Sequence, residues 1–216
     1  MYPFKSTLMC NGHVLAVMVL CSATMSAFAT ETIVMLRHAE KPAGGLGQLS
    51  CQGLNRSLAL PEVLMSKFGK PTAIFAPNPG VMKPDRGVDY NYIRPLATIE
   101  PTAIVVGLPV NTSLGYANID QLNSALLEPS NHDATIFVAW EHRLLEKAAR
   151  NIVSDAGGST DQVPKWDDDD FDSLYVIQIE SRQGGIRSVM FHKDMQGLDN
   201  GSLDCPFNRF PDAKLK

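Results

Sequence analysis

The chain predicts an α/β fold with a largely parallel central sheet, and three observations carry that reading. Short apolar runs of strand length alternate with longer segments of helical pattern along most of the sequence. Two further strand-like segments near the C-terminus are separated by Gln183-Gly184-Gly185, a turn signal that predicts a closing hairpin. The 216 residues, 44% of them apolar, suit one domain with a sizeable core rather than two.

Taken in order, the first strand is the apolar run 32–36, which ends at Arg37-His38. Gly44, Gly45 and Gly47 make a loop, and Ser50 is a fitting N-cap for a helix running to Leu60. Pro61 opens a continuation over 62–68, since proline is tolerated in a first turn. Residues 72–76 form a second apolar strand. The stretch 77–92 holds three prolines and two glycines and reads as a long irregular loop. A helix follows over 94–107, with Pro95 in its first turn and Pro101 predicting a break or kink. Next come a short strand at 109–112, a helix at 119–127 and a third strong strand at 135–139. The helix 142–156 stops at Gly157-Gly158, and the segments 174–180 and 187–191 form the hairpin. No internal repeat, low-complexity segment or inter-domain linker interrupts this order.

The N-terminus has the features of a secretory signal: Lys5, an apolar stretch at 14–20 and the cleavage pattern Ala27-Phe28-Ala29. The expected organisation is therefore a leader over 1–29 and one domain over 30–216, with the mature protein periplasmic or secreted. A retained anchor and a lipid attached at Cys21 are the alternatives. The apolar stretch is short and interrupted for a membrane span, so none is expected in the mature chain. Cleavage removes Cys10 and Cys21 and leaves Cys51 and Cys205 in an oxidising compartment, which predicts a disulfide between them.

A net charge of −4 and the lack of any Lys/Arg block argue against nucleic acid as a partner. The run Asp167-Asp168-Asp169-Asp170 reads as a solvated loop; it lacks the spacing and glycine of a calcium loop, and a cation site or an interaction face are the other readings.

Ligands of open α/β sheets bind at the carboxyl ends of the strands. Three features converge there: Arg37-His38 after the first strand, Arg94 at the start of a helix, and Trp140-Glu141-His142 after the third strong strand. Two arginines, two histidines and the N-terminus of the helix at His142 favour a phosphate.

In these residues the chain resembles the histidine phosphatase superfamily, the phosphoglycerate mutase-like fold, in its small-domain branch. The family's Arg-His-Gly appears as Arg37-His38-Ala39. Its helix motif of Gly and Arg after a Thr or Ser appears as 49–56, with Ser50, Gly53 and Arg56. Its second arginine appears in Arg94-Pro95-Leu96-Ala97-Thr98, and its second histidine as His142.

The resemblance implies a three-layer sandwich and a phosphoric monoester hydrolase of the histidine acid phosphatase type, working without cofactor or metal. His38 becomes the nucleophile and forms a phosphohistidine, Arg37 and Arg94 bind the phosphoryl oxygens, and His142 stabilises the group in transfer. Neighbouring arginines are expected to keep His38 neutral, with one ring nitrogen tied to a backbone carbonyl. The family's acid has no counterpart in 110–120, where only Asp120 is acidic. Glu141 is the preferred proton donor, with Asp120 and Glu40 as alternatives.

Ala39 stands where the family has glycine and requires a backbone without positive φ. Arg56 is read as structural, and His132 and His192 as surface or strand residues. The loop 77–92, with Lys83, Arg86, Tyr90 and Tyr92, is the expected specificity element. The substrate class is a small-molecule or envelope-borne phosphomonoester; nothing bears on oligomeric state. The rival readings are a non-catalytic phosphate-binding module, a phosphohistidine protein phosphatase if the chain is not exported, and an envelope interaction protein using the aspartate run.

Overall fold

The computed structural model describes residues 29–181 and 187–207; the expected leader apart from Ala29, and the expected turn at 183–185, lie outside the described residues. Fourteen elements follow the predicted alternation: β1 (Ala29–Arg37), α1 (Cys51–Phe68), β2 (Ala73–Phe75), β3 (Met82–Asp85), β4 (Val88–Asn91), α2 (Arg94–Val106), β5 (Val110–Asn111), α3 (Ile119–Leu126), β6 (Thr135–Trp140), α4 (His142–Asp155), β7 (Ser173–Ser181) and β8 (Arg187–Met195), with two short 3-10 turns at Pro129–Asn131 and Thr160–Gln162.

One six-stranded sheet has the order β5-β2-β6-β1-β7-β8. β5, β2, β6 and β1 are parallel, whereas β7 runs antiparallel to β1 and β8 antiparallel to β7. Alternate residues of the strands face opposite layers. Val34 and Leu36 pack with Leu60 and Leu64 of α1 and Ile99 and Ala103 of α2. Ile33 and Met35 pack with Leu122 of α3 and Leu145, Ala149 and Ile152 of α4. Helices on both faces complete a three-layer sandwich, because strands buried on both sides need cover on both. Among the described residues no helix is long and apolar enough to cross a membrane.

Three local expectations change. Pro61 lies inside one continuous helix from Cys51 to Phe68, and Pro101 lies inside a continuous α2. Burial of Leu60 and Leu64, and of Ile99 and Ala103, supplies packing that offsets the backbone bond each proline removes. Residues 77–92 are not an irregular loop throughout, because β3 and β4 form a two-stranded antiparallel hairpin within them. Its strands are short, largely exposed and contain Pro84, so apolar alternation is weak there.

The start of α1 is pressed against the segment that follows β1. Ser50 caps the helix by accepting from the Gly53 amide at 3.1 Å, and its own amide donates to the Glu40 carbonyl at 2.9 Å. A methyl group on Gly53 would overlap that carbonyl oxygen and lie 2.9 Å from the Glu40 nitrogen. Gly53→Ala is therefore expected to destabilise the fold by about 1–3 kcal/mol, read as a lower urea midpoint. An unchanged midpoint would mean that α1 shifts freely over this segment. Cys51, in the first turn, is bonded to Cys205, so the C-terminal tail is fastened to α1 as expected. Asn55 adds hydrogen bonds to the Ser202 and Asp204 carbonyls at 2.9 and 2.7 Å.

Candidate active site

The carboxyl ends of β1 and β6 lie side by side, with Arg37 paired to Trp140, and the His38 amide donates to the Trp140 carbonyl at 2.9 Å. His38 therefore leaves the sheet immediately beside Glu141 and His142. β7 runs antiparallel to β1, so its N-terminal end, and the segment 168–171 before it, reach the same edge. The loop after β2 carries the hairpin and then Arg94.

His38 is buried, 3% exposed. Its Nδ1 donates to the Ala39 carbonyl at 2.8 Å, which fixes the tautomer and leaves Nε2 with a free lone pair. Burial lowers its pKa well below the ordinary histidine value, and the charges of Arg94 and Arg37 push the same way, against the Ala39 bond and Glu141. The ring is thus neutral and nucleophilic. Tyr92 meets it edge-on at 6.1 Å, and Phe171 at 6.2 Å. Ala39 has no positive φ. Its amide donates to Thr98 Oγ1 at 2.9 Å, while that hydroxyl donates to the Arg94 carbonyl at 2.8 Å, tying the start of α2 to the segment that carries His38.

Both arginines are buried. Arg37 lies over the Phe171 ring at 3.8 Å, and its Nη1 donates to the Asp168 and Asp170 carbonyls at 2.5 and 3.1 Å. Arg94 Nη1 donates to Asp85 at 2.5 Å, a carboxylate that Lys41 also approaches at 3.4 Å. The Nε atoms of both arginines are buried, and among the described residues neither has a hydrogen-bond partner of good geometry, although the Arg94 guanidinium lies by the Tyr92 hydroxyl. Unpaired buried donors are rare because desolvation leaves them costly, and two of them belong to arginines whose charges act on His38.

His142 is buried at the first position of α4. Its Nε2 donates to Asp168 Oδ1 at 2.8 Å, and Arg143 binds the same carboxylate at 2.5 and 3.1 Å. Glu141 is the N-cap of α4, accepting from the Leu144 amide at 3.0 Å. Glu141 Oε1 also sits 3.0 Å from His142 Nδ1, close but out of line for a hydrogen bond. Burial would raise the Glu141 pKa, yet the contacts with His142, Lys83 and the Leu144 amide bring it down to about 2. Glu141 thus stands as the cap of α4 and as an anion beside His142.

The other carboxylates are no better placed. Glu40 is held by Arg56 at 2.7 Å, and Asp120 is exposed in the first turn of α3. Arg56 is structural, bonding Glu40, Asp172, Gln196 and Asp199. His132 and His192 are exposed, as read from sequence.

The aspartate run is not merely solvated. Asp168 caps His142, while Asp170 accepts from the Asp172 and Ser173 amides and from Lys193. Phe171, Asp85 and Asp168 belong to the site without a motif to announce them. In the β3–β4 hairpin, Lys83 places its ammonium over Tyr92 at 4.7 Å and Tyr116 at 4.9 Å. Beside the site, Lys41, Gln48, Gln52, Phe171 and Leu203 border an open cleft of about 630 Å³.

No family model matches the chain, and no curated protein matches it. Solved structures do. A putative phosphohistidine phosphatase SixA from Nakamurella multipartitia is 13% identical, with a TM-score of 0.50 over 76% of this chain and 95% of that one. A phosphoglycerate mutase from Plasmodium falciparum is 14% identical, with a TM-score of 0.46 over 76% of this chain and 89% of that one. A mycobacterial glucosyl-3-phosphoglycerate phosphatase is 15% identical, with a TM-score of 0.44 over 76% and 95% respectively. Identity at this level speaks for architecture alone, and the chain shares the α/β fold of that Nakamurella multipartitia structure.

Proposed function

We propose that the protein is an exported, metal-independent phosphatase that hydrolyses a phosphomonoester through a phosphohistidine on His38. The observation that carries this reading is the free Nε2 of a neutral, buried His38 flanked by two arginines with unpaired buried Nε donors. A neutral imidazole lone pair attacks phosphorus, Arg37 and Arg94 disperse the charge of the transferring oxygens, and water later cleaves the P–N bond. His142 supplies an N–H to the same group, held in place by Glu141. The leader-like N-terminus and the Cys51–Cys205 disulfide support a location outside the cytoplasm, and the cleft beside Phe171 gives the leaving group room. The test is hydrolysis of p-nitrophenyl phosphate by the mature protein with chelator present. A protein that binds vanadate but turns over no phosphate ester would instead be an anion-binding module.

His142 Nε2 meets its phosphate only when Asp168 releases it. Asp168 is exposed, and its pKa is lowered by Arg143 first and His142 second, so it is an anion competing for the substrate's place. Asp168→Ala is expected to lower KM for p-nitrophenyl phosphate and tighten inhibition by inorganic phosphate, each by about three- to tenfold, as removal of an internal competitor requires. A raised KM would assign Asp168 to holding His142 in position.

A further inference from the structure

The reaction needs a proton for the departing oxygen, and despite burial the neighbouring donors and charges hold the Glu141 and Asp85 carboxyls below the usual carboxylate range. We propose that Lys83 is the general acid of the first step and the general base of the second, a role that rests on the phosphatase reading above. Three observations lead to it.

The first is placement. Lys83 stands on β3, which pairs with β4 through Lys83 and Tyr90, and the hairpin carries it over the rings of Tyr92 and Tyr116 at 4.7 and 4.9 Å. Tyr92 is the ring that meets His38 at 6.1 Å, and the Arg94 guanidinium lies 5.1 Å from its centre. Lys83, His38 and Arg94 are therefore all neighbours of one ring, that of Tyr92.

The second is its lack of a counter-ion. Lys83 takes part in no ion pair and no hydrogen bond among the described residues, although it is half-buried. Lysines placed in this way on a surface are normally solvated or paired. Here the ammonium rests on two π faces, which hold a cation without accepting its protons in a hydrogen bond. Its N–H groups stay available to a ligand.

The third is the charge around it. The groups facing Lys83 are Glu141 from the cap of α4, Arg94 from α2, Asp85 from the end of its own strand, and Lys41 from the segment after β1. Burial lowers its pKa first; Glu141 and Asp85 oppose the shift, and Arg94 and Lys41 reinforce it. A lysine so disposed releases its proton more readily than one in water, which is what an acid–base catalyst requires.

The proton inventory closes. In the first step the His38 Nε2–P bond forms, the P–O bond to the leaving group breaks, and that oxygen takes a proton from the Lys83 ammonium. In the second, water adds to phosphorus, the P–N bond breaks with its electron pair returning to Nε2, and the neutral Lys83 amine accepts the water's proton. The sum is ester plus water giving alcohol plus phosphate, with enzyme unchanged.

The role makes a prediction that a mere phosphate clamp does not. A general acid matters where the leaving group is poor and matters little where it departs as a stable anion. Kinetics of wild type, Lys83→Met and Lys83→Arg would be compared on β-glycerophosphate and p-nitrophenyl phosphate. Both variants are expected to lose about 10²–10⁴-fold in kcat/KM on β-glycerophosphate and tenfold or less on p-nitrophenyl phosphate. Lys83→Arg keeps the charge and the ring contacts but gives up no proton, so it should fail alongside Lys83→Met. Equal losses on both esters, or rescue by arginine, would make Lys83 a clamp and overturn the proposal; unchanged kinetics on both would do the same. Wild type inert toward both esters would overturn the phosphatase reading itself.

Discussion

Alanine at position 38 is expected to abolish turnover, with kcat on p-nitrophenyl phosphate falling by about 10⁴-fold, as removal of a nucleophile does elsewhere. What remains is the catalysis that Arg37, Arg94 and His142 offer to water, because they disperse charge without forming a bond to phosphorus. The substitution should leave the fold standing. His38 gives its side-chain hydrogen bond to the carbonyl of its own neighbour, Ala39, and its amide bond to Trp140 survives truncation. Two measurements accompany the rate. Quenching wild type with alkaline detergent during turnover should trap an alkali-stable, acid-labile phosphoprotein that His38→Ala lacks. Long-range nitrogen NMR should find the wild-type ring neutral at pH 6.5, where an ordinary histidine is half protonated. The unfolded chain then takes up a proton that the folded one refuses, so this group's effect is to reduce stability as pH falls below 6.5. A variant keeping a tenth or more of the wild-type rate would place the nucleophile elsewhere.

Much of this site is legible in the sequence for a physical reason. Arg37 and His38 directly follow a run of residues that must be buried on both faces, and polar groups have no cause to sit there unless they do chemistry at the sheet edge. Arg94 and His142 open helices, and helix starts in this architecture point at the same edge. Partners brought by pairing across the sheet are not legible in that way. Asp168 and Phe171 reach the site only because β7 is antiparallel to β1, which turns the start of a late strand toward the end of the first. Read locally, four consecutive aspartates look solvated.

Asp85 and Lys83 arrive on a hairpin whose strands, at 82–85 and 88–91, carry a proline and mostly exposed side chains, so the period of two that marks a strand is missing. Glu141 illustrates a different limit. Its position beside His142 is plain from sequence, but a carboxyl there serves as acid or as cap according to its charges. Those charges come from Lys83, fifty-eight residues earlier, and from the Leu144 amide that forms only with the helix.

Arg56→Met is expected to cost about 3–5 kcal/mol of stability, the range for removing one partner from a buried ionic cluster. Arg56 is 4% exposed and joins three parts of the chain. Its Nε and Nη2 clamp both oxygens of Glu40 at 2.7–3.1 Å, Nη1 binds Asp172 at 2.8 Å and Gln196 at 3.1 Å, and Nη2 reaches Asp199 at 2.9 Å. Burial by itself would lower the Arg56 pKa, yet the bonds to Glu40 and Asp172 hold it above the ordinary range. Methionine fills a similar volume but leaves those two carboxylates facing each other without a cation. Lysine should rescue only in part, because a single ammonium cannot span a fork of three nitrogens carrying five N–H donors. The loss should also reach the chemistry, although Arg56 touches no substrate. Glu40 adjoins Ala39, and its carbonyl is where α1 seats Ser50, so a Glu40 released from Arg56 loosens the backbone that carries His38. Urea unfolding measures the first effect and kcat the second. The tail that supplies Asp199 is also fastened by Cys51–Cys205, so reducing the disulfide in the variant should cost less than in wild type, since residues sharing one network do not act additively. Equal costs of reduction in the two proteins would separate the tail from the Arg56 cluster.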